Sequence, residues 1–187
     1  MNESPYLTGQ LLLAMPSMLD DRFAKSVIYM CAHNEEGAMG IVVNRELESI
    51  TFPDLLNQLG IEPLNPDPQI KIHFGGPVES GRGFVLHTAD FTQDATVAVN
   101  DSVALTTTMD IIQAIADEEG PNQCLFALGY AGWGPGQLDA EIKKNGWLNV
   151  TSDDDLVFGS ELTNKWERCM RKLGIDPLML SDDAGHA

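Results

Sequence analysis

Two rhythms of apolar and polar residues run along the chain and predict its elements. Where apolar residues form a short run or alternate with polar ones, a β-strand is expected, because successive side chains of a strand point to opposite faces. Several of these segments are joined by turn residues such as asparagine, aspartate and glycine. The predicted strands are Gly9–Met15, Ser26–His33, Ala38–Val43, Ile70–Phe74, Gly83–Thr88, Thr96–Val99, Val103–Leu105, Cys124–Gly129 and Trp147–Val150.

In other segments, apolar residues recur every three or four positions, which predicts helices. A glycine lies just beyond each of these segments and is placed to end the helix. The predicted helices are Thr51–Leu59, Thr108–Glu118, Gln137–Lys144 and Glu161–Leu173. Ser152–Asp155 is predicted to be an acidic turn.

The order of these elements indicates the fold class. Hairpins dominate the N-terminal half and alternation of strands and helices the C-terminal half, without a regular strand–helix–strand rhythm, which is typical of an α+β fold. We expect a single compact domain over residues 1–187, with a mixed, strongly curved β-sheet flanked by about four helices. Residues 1–8 and 179–187 are expected to be loose termini.

The charge of the chain disfavours nucleic acid as a partner. Asp and Glu number 28 against 11 Lys and Arg, so the formal net charge is −17, while 43% hydrophobic residues suffice for a substantial core. An acidic surface repels phosphate backbones, and direct nucleic-acid binding is therefore not expected. The densest basic group is interpreted as a solvated face of the last helix. It consists of Lys165, Arg168, Arg171 and Lys172.

Cysteine usage and apolar runs predict the compartment. The chain has three cysteines, at positions 31, 124 and 169. A disulfide framework is not expected, because their number is small and odd. The N-terminus has no basic segment, and its longest apolar run, Leu11–Met15, is too short for a leader or a membrane span. We expect a cytoplasmic protein that does not associate with membranes.

The segment Gly129–Leu138 is the first candidate site, with four glycines, a proline and two aromatic residues between a predicted strand and a predicted helix. Glycines let a backbone approach a ligand closely, and the N–H groups at a helix start favour an anion. Alternatively, the segment is a structural turn whose two aromatic residues pack in the core. The candidate ligand-binding residues are Gly129, Tyr130, Gly132, Trp133, Gly134 and Gly136.

A second glycine turn extends this candidate site. Gly75 and Gly76 lie between predicted strands, and Arg82 close by is a candidate partner for an anion. Gly129–Leu138 matches neither the dinucleotide-binding fingerprint nor the phosphate-binding P-loop, so no cofactor is predicted. The expected occupant is either a small anionic ligand or a protein partner.

Cys31 and His33 form a candidate catalytic pair. At positions i and i+2 of a strand they share a face, with Cα atoms roughly 6.5 Å apart. A histidine that close can lower the pKa of a thiol and favour the thiolate, which a nucleophilic or redox-sensing cysteine would need. The alternative is that Cys31 is a small apolar filler of the core.

Two further groupings carry weaker signals. His73 and His87 would face each other if their strands formed a hairpin, but no metal-binding spacing accompanies them and no metal is predicted. Asp139 and Glu141 are either an acid–base pair or part of a solvated helix face.

Several short motifs, taken together, resemble one family of bacterial proteins. The chain carries them in the order Gly9–Pro16, Ser26-Val27 with Cys31 and His33, Gly37–Asn44, Gly75–Val78, Val85–His87, Gly129–Trp133, Gly136–Leu138 with Glu141, and Asn145 with Trp147. This set is similar to the YqgE/AlgH family and covers nearly the whole chain. The resemblance implies a single α+β domain on a mixed sheet in a cytoplasmic bacterial protein. It implies no reaction; one branch of the family has been named a transcriptional regulator, although the family has no recognised DNA-binding motif.

Two functional hypotheses follow from these residues. The first is a non-enzymatic regulatory protein that binds a ligand or a protein partner through the two glycine-rich segments. The second is a thiol-dependent protein, catalytic or redox-sensing, centred on Cys31 and His33. Direct regulation of DNA is a third hypothesis, which the charge of the chain opposes.

Overall fold

The computed structural model describes residues 6–18, 20–64, 70–159 and 161–176, and within them the chain forms nine strands and five helices. The strands are β1 (Gln10–Ala14), β2 (Val27–Asn34), β3 (Gly37–Val42), β4 (Ile72–Phe74), β5 (Val78–Thr88), β6 (Val97–Ala98), β7 (Val103–Thr106), β8 (Cys124–Trp133) and β9 (Trp147–Thr151). The helices are α1 (Phe52–Gln58), α2 (Met109–Ala116), α3 (Gln137–Lys143), α4 (Asp154–Phe158) and α5 (Lys165–Lys172).

All nine strands belong to one mixed sheet. Its order is β6-β7-β5-β8-β3-β2-β1-β9, and β4 pairs with β8 outside this path. The pairing of β4 with β8 is parallel, whereas the other pairings are antiparallel. The sheet curls so strongly that Asn100, in the β6–β7 turn, donates a hydrogen bond to the Tyr29 hydroxyl of β2 at 3.3 Å. The predicted α+β class with a mixed, strongly curved sheet is confirmed.

Three apolar clusters form the core. The first lies on one face of the sheet, where α4 and α5 pack against it through residues such as Val157 and Trp166. The second lies on the opposite face beside α3 and includes Leu138 and Trp147. The third lies beneath α1 and α2 and includes Phe126 of β8. The helices therefore cover the sheet on both faces.

The predicted start of the first helix agrees with the structure. Thr51 is the N-cap of α1: its side chain accepts a hydrogen bond from the Asp54 backbone, and the Asp54 carboxylate accepts one from the Thr51 backbone. This reciprocal pair satisfies two of the unpaired donors at a helix start. Pro53 occupies the first turn, where a missing N–H costs least.

Other predicted bounds were wrong. The predicted acidic turn at 152–155 is the start of α4, which Asp153 caps by accepting a hydrogen bond from Leu156 at 2.9 Å. Helix α5 begins only at Lys165, whereas the helix was predicted from Glu161. With α4, the described residues form five helices, in line with the expected number of about four. Strand β8 runs on to Trp133, so half of the glycine-rich segment is strand rather than loop.

The predictions for the termini are only partly covered by the structure. Residues 1–5 and 177–187 lie outside the described residues. Tyr6 packs edge-on against His33 with ring centroids 5.1 Å apart, and the Leu7 backbone donates a hydrogen bond to Nδ1 of His33 at 3.0 Å. The chain is therefore docked on β2 from Tyr6 onward. Among the described residues, none of the helices has the length and apolar character needed to cross a membrane.

Candidate functional site

Gly129 reverses the alternation of side chains in β8. Before it, Leu125 and Ala127 face the first cluster, and the regular alternation of a strand would send residue 131 to the same face. Instead, Ala131 and Trp133 belong to the second cluster on the opposite face. Gly129 has φ +79°, a conformation that glycine adopts without strain, and it acts as the extra residue of a bulge.

The two glycine-rich segments meet through their backbones. A Cβ added to Gly76 would lie 2.1 Å from the carbonyl carbon of Tyr130, and one added to Gly129 would lie 2.3 Å from the carbonyl oxygen of Gly76. Gly75 donates a hydrogen bond to Leu128 and accepts one from Val42, each at 2.9 Å. Gly75, Gly76 and Gly129 therefore allow the strand β4 to cross to β5 at close range, which accounts for these glycines without a ligand.

The turn after β8 is held by a network around Glu141. Its Oε1 accepts hydrogen bonds from the indole nitrogens of Trp133 at 3.2 Å and Trp147 at 2.9 Å, and its Oε2 accepts one from Gln137 at 2.9 Å. The two indole rings pack edge to face at 5.9 Å. Glu141 therefore anchors α3 to the sheet instead of forming an acid–base pair with Asp139.

The start of α3 does not present a free anion site. The backbone N–H of Gly134 donates to the side-chain oxygen of Gln137 at 2.9 Å, and Gly136 serves as the N-cap with φ +71°. The helix is seven residues long, and Asp139 puts a carboxylate in its first turn. Gly134 and Gly136 thus form an exposed turn in which negative charge is already present.

Cys31 and His33 lie on opposite faces of the sheet. The register between β2 and β3 shifts at Cys31, since Met30 pairs with Gly40 but Ala32 pairs with Met39. This bulge reverses the alternation, so Cys31 lies in the first cluster, whereas His33 pairs with Ala38 on the face of the second cluster. The prediction that the two residues share a face was wrong.

The environments of the two side chains are also unlike those of a catalytic pair. Burial raises the pKa of the Cys31 thiol to about 12, which contradicts a reactive thiolate and favours the alternative that Cys31 is an apolar filler of the core. His33 accepts the hydrogen bond from Leu7 on Nδ1, and its Nε2 lies 3.5 Å from the Asp139 carboxylate. Cys31 therefore fills the core, and His33 joins the N-terminal segment to α3.

His73 and His87 do not face each other, because β8 lies between their strands. His73 lies on β4 and His87 on β5, and these two strands pair with opposite edges of β8. His73 Nδ1 is 3.1 Å from the carbonyl of Phe126, and burial lowers the pKa of its imidazole to about 4. His87 Nε2 is 2.8 Å from the Thr106 hydroxyl, and burial also lowers its pKa. No cluster of ligands that could hold a metal occurs within the described ranges.

An open cleft of about 660 Å³ lies on the face of the first cluster. It brings together Arg82, Tyr130 and Gly132 of the sequence-predicted site and is also lined by Trp133, whose indole ring packs in the second cluster. Cys31, His33 and the other predicted glycines are not among its described lining residues. The remaining lining residues come from the ends of β2 and β3, from β5 and from β7. They are Ala32, Asn34, Glu36, Gly37, Ala38, Met39, Val78, Glu79, Phe84 and Leu105.

The floor of the cleft is apolar, and its charges lie on loops and bulges. Phe84 and Tyr130 pack edge to face at 5.5 Å and continue the first cluster. The guanidinium of Arg82 lies 5.4 Å from the centre of the Phe84 ring and 3.6 Å from the Glu79 carboxylate. Both charged residues belong to the segment 79–82, which bulges from β5 between the pairs Val78–Tyr130 and Gly83–Leu128.

Sequence patterns did not reveal one buried charge. Lys165 was interpreted as part of a solvated basic face, but solvent does not reach it. Its Nζ donates hydrogen bonds to the carbonyls of Val43 at 3.0 Å and Val157 at 2.8 Å. Burial lowers the pKa of this amine to about 8. One feature of the sequence could have indicated this burial: Lys165 directly precedes Trp166, on the apolar side of α5.

Comparison with known proteins agrees with the fold. The AlgH-like family model matches residues 11–178. A UPF0301 protein from Rhodospirillum rubrum is 57% identical over 182 residues, which are 97% of this chain and 95% of the relative. A UPF0301 protein from Rhodopseudomonas palustris is 56% identical over 99% of this chain and 88% of its own length.

Two solved structures are similar over nearly the whole length. The solution structure of the AlgH protein from Pseudomonas aeruginosa has a TM-score of 0.78 and 38% identity, with both chains covered completely. A crystal structure of a protein from Corynebacterium diphtheriae has a TM-score of 0.75 over 97% of this chain and 94% of that one. At 20% identity, the second likeness concerns the fold alone.

Proposed function

This chain belongs to the AlgH-like family, and we propose that it is a non-enzymatic regulatory protein of the cytoplasm that holds a protein partner in the open cleft. One observation carries the proposal: Met39, Phe84 and Tyr130 extend the apolar face of the first cluster into the cleft. Among the described lining residues, none comes from α4 or α5, the helices that cover this face elsewhere. A concave apolar floor with polar groups around it matches the general arrangement of a protein interface, an apolar centre within a polar rim.

The chemistry of the lining supports binding rather than catalysis. Its titratable side chains, within the described part of the chain, are Glu36, Glu79, Arg82 and Tyr130. Histidine, the commonest general base near neutral pH, and cysteine and lysine, two common nucleophiles, do not occur among these described lining residues. Cys31 directly precedes the lining residue Ala32, but its thiol is buried in the first cluster and burial raises its pKa.

Charge and shape favour a protein partner over a small anion. Glu36 and Glu79 carry two negative charges against the single positive charge of Arg82, and the guanidinium of Arg82 is already paired with Glu79. An anion in the cleft would compete with that carboxylate and meet a chain of net charge −17. The cleft is also open to solvent, whereas small-molecule sites bury most of their ligand.

A photo-cross-linking experiment tests the proposal. A benzophenone amino acid replaces Ala32, an exposed lining residue, in the bacterium that encodes the chain, and the adduct is identified by mass spectrometry. We expect one adduct to dominate in the otherwise unchanged chain.

Two glycines provide a matched pair of variants for this experiment. Gly132 and Gly134 both lack a positive φ; a Cβ at Gly132 would lie 3.2 Å from the Tyr130 ring inside the cleft, whereas one at Gly134 would contact nothing nearer than 3.8 Å. We expect Gly132→Leu to remove the adduct and Gly134→Leu to retain it, with both variants folded by circular dichroism. Equal adduct yields from the two variants would contradict the proposal.

A further inference from the structure

We infer that the occupant of the cleft is an extended, basic segment of the partner, about six residues long, whose apolar side chains alternate with lysine or arginine; this inference rests on the proposed function. An extended segment fits because of how the cleft crosses the sheet. Its lining begins at Leu105 on β7 and ends at Ala32 on β2, with β5, β8 and β3 between them in the order of the sheet.

The number of strands crossed gives the length of the segment. Neighbouring strands lie about 4.8 Å apart, so the centres of five adjacent strands span about 19 Å along the curved sheet, and less in a straight line. An extended chain that follows the curve advances about 3.3 Å per residue and needs about six residues for that span. Because the cleft runs across the strands rather than along a free edge, the occupant contacts side chains and does not add a strand to the sheet.

The floor of the cleft accounts for the apolar positions of the occupant. Met39 and Leu105, which are partly exposed, offer apolar contacts on two strands above the buried Phe84, and the missing side chain of Gly132 deepens the centre. Alternate side chains of an extended segment point the same way, so every second residue would face this floor. Methionine adapts its shape to varied apolar partners, which suits a site that holds a flexible segment.

The charges of the cleft account for the basic positions. Glu36, in the turn between β2 and β3, and Glu79, in the bulge of β5, lie on either side of β8. Together with Arg82 they leave one net negative charge at the cleft, on a chain whose net charge is −17. The whole chain therefore attracts a basic segment, and the Glu36 carboxylate can pair with one of its cations, whereas Glu79 is shared with Arg82. The exposed part of the Tyr130 ring offers a further contact for a cation.

Two defined peptides test this inference. One is a hexapeptide of alternating lysine and leucine with a neutral coumarin label; the other replaces each lysine with glutamate. Fluorescence anisotropy at 0.15 M salt measures their affinity for the purified full chain. We expect the lysine peptide to bind at least tenfold more tightly than the glutamate peptide.

The variants separate binding in the cleft from general attraction to an acidic surface. We expect Gly132→Leu, which leaves the charge unchanged, to weaken binding of the lysine peptide at least tenfold, and Gly134→Leu to leave it unchanged. Glu36→Gln combined with Glu79→Gln should weaken it several-fold without filling the cleft, which gives a second test if Gly132→Leu fails to fold. Loss of binding in both kinds of variant supports the inference.

Several results would overturn it. They are no binding of the lysine peptide, equal binding to the Gly132→Leu and Gly134→Leu variants, or tighter binding of the glutamate peptide. A dimer in sedimentation that becomes a monomer in Gly132→Leu would show that a second copy of the chain occupies the cleft. The cross-linking result at Ala32 distinguishes the two proposals, because a cleft-dependent adduct together with a failed peptide test would reject only the basic segment.

Discussion

Lys165 donates a hydrogen bond from its side-chain nitrogen to the carbonyl oxygen of Val43, 3.0 Å away, in a part of the core that solvent does not reach. A second bond, to Val157 at 2.8 Å, ties the same nitrogen to the last turn of α4. A neutral amine has two N–H donors, and two carbonyls accept them. The side chain thus links α5 to α4 and to the end of β3 in its uncharged as well as its charged form.

Replacing this lysine should change how stability depends on pH. Burial lowers its pKa to about 8 in the folded chain, below the 10.5 of an unperturbed lysine. Between these values the unfolded chain binds more protons than the folded chain, so the free energy of unfolding rises with pH, by up to about 3 kcal/mol from this group. We expect urea titrations to show that the free energy of unfolding changes more favourably from pH 7.5 to pH 10 in the wild type than in Lys165→Met. The thiols of Cys31, Cys124 and Cys169, whose pKa values burial raises, lower the stability of both proteins over the same range. The same change with pH in both proteins would contradict the assignment.

Glu141→Ala should destabilise the chain more than Glu141→Gln. Alanine leaves the buried indole nitrogens of Trp133 and Trp147 without their acceptor, at about 1–3 kcal/mol for each unsatisfied donor. Both indoles bond to the same oxygen, Oε1, and the amide oxygen of glutamine can take its place. Urea titrations followed by circular dichroism measure the two losses. Equal losses would mean that the shared oxygen does not carry the contact.

Gly76→Ala should be strongly destabilising, whereas Gly134→Ala should be nearly neutral. The added Cβ at Gly76, where φ is +154°, would lie 2.1 Å from the carbonyl carbon of Tyr130, so backbone must move, at an expected cost of at least about 3 kcal/mol. At Gly134 nothing lies nearer than 3.8 Å, and the change should stay within about 0.5 kcal/mol. Thermal melts compare the two. If Gly76→Ala melts at the wild-type temperature, the close backbone crossing is absent.

Cys31 should be unreactive towards thiol reagents while the chain is folded. Burial raises its pKa to about 12, and the thiolate is the reacting form. We expect a disulfide reagent at pH 8 to modify Cys31 only after denaturation, and Cys31→Ala to leave the labelling of the native chain unchanged. Rapid modification of Cys31 in the native chain, with an inflection below pH 9 in the rate of modification, would contradict this prediction and support a thiol-dependent function.

The strongest sequence patterns predicted the fold class, because each reflects burial of one face of an element. The alternation in β2 and the capping residues of α1 are local properties, and they determine local structure. Bulges are not visible in such patterns. The extra residues at Cys31 and Gly129 leave the apolar rhythm of the sequence intact but change which face the following side chains occupy.

The candidate site was only partly predictable for a related reason. Arg82, Tyr130 and Gly132 stood out as a cation, an aromatic residue and a glycine within unusual segments, and the structure brings them to one cleft. Met39 and Ala32 complete the cleft from a distant hairpin, and only the pairing of β3 with β8 places them there. Non-local strand pairing of this kind is not encoded in any single window of sequence.

The reversal of side chains at Gly129 also governs how the chain should unfold. Strand β8 supplies Ala127 to the first cluster, Ala131 to the second and Phe126 to the third. All three clusters therefore pack against this one strand. If one cluster opens, apolar surface of the other two is exposed as well, because all three share β8. Amide protons along β8 should therefore exchange with solvent deuterium only through global opening, and the three cores should melt as one cooperative unit.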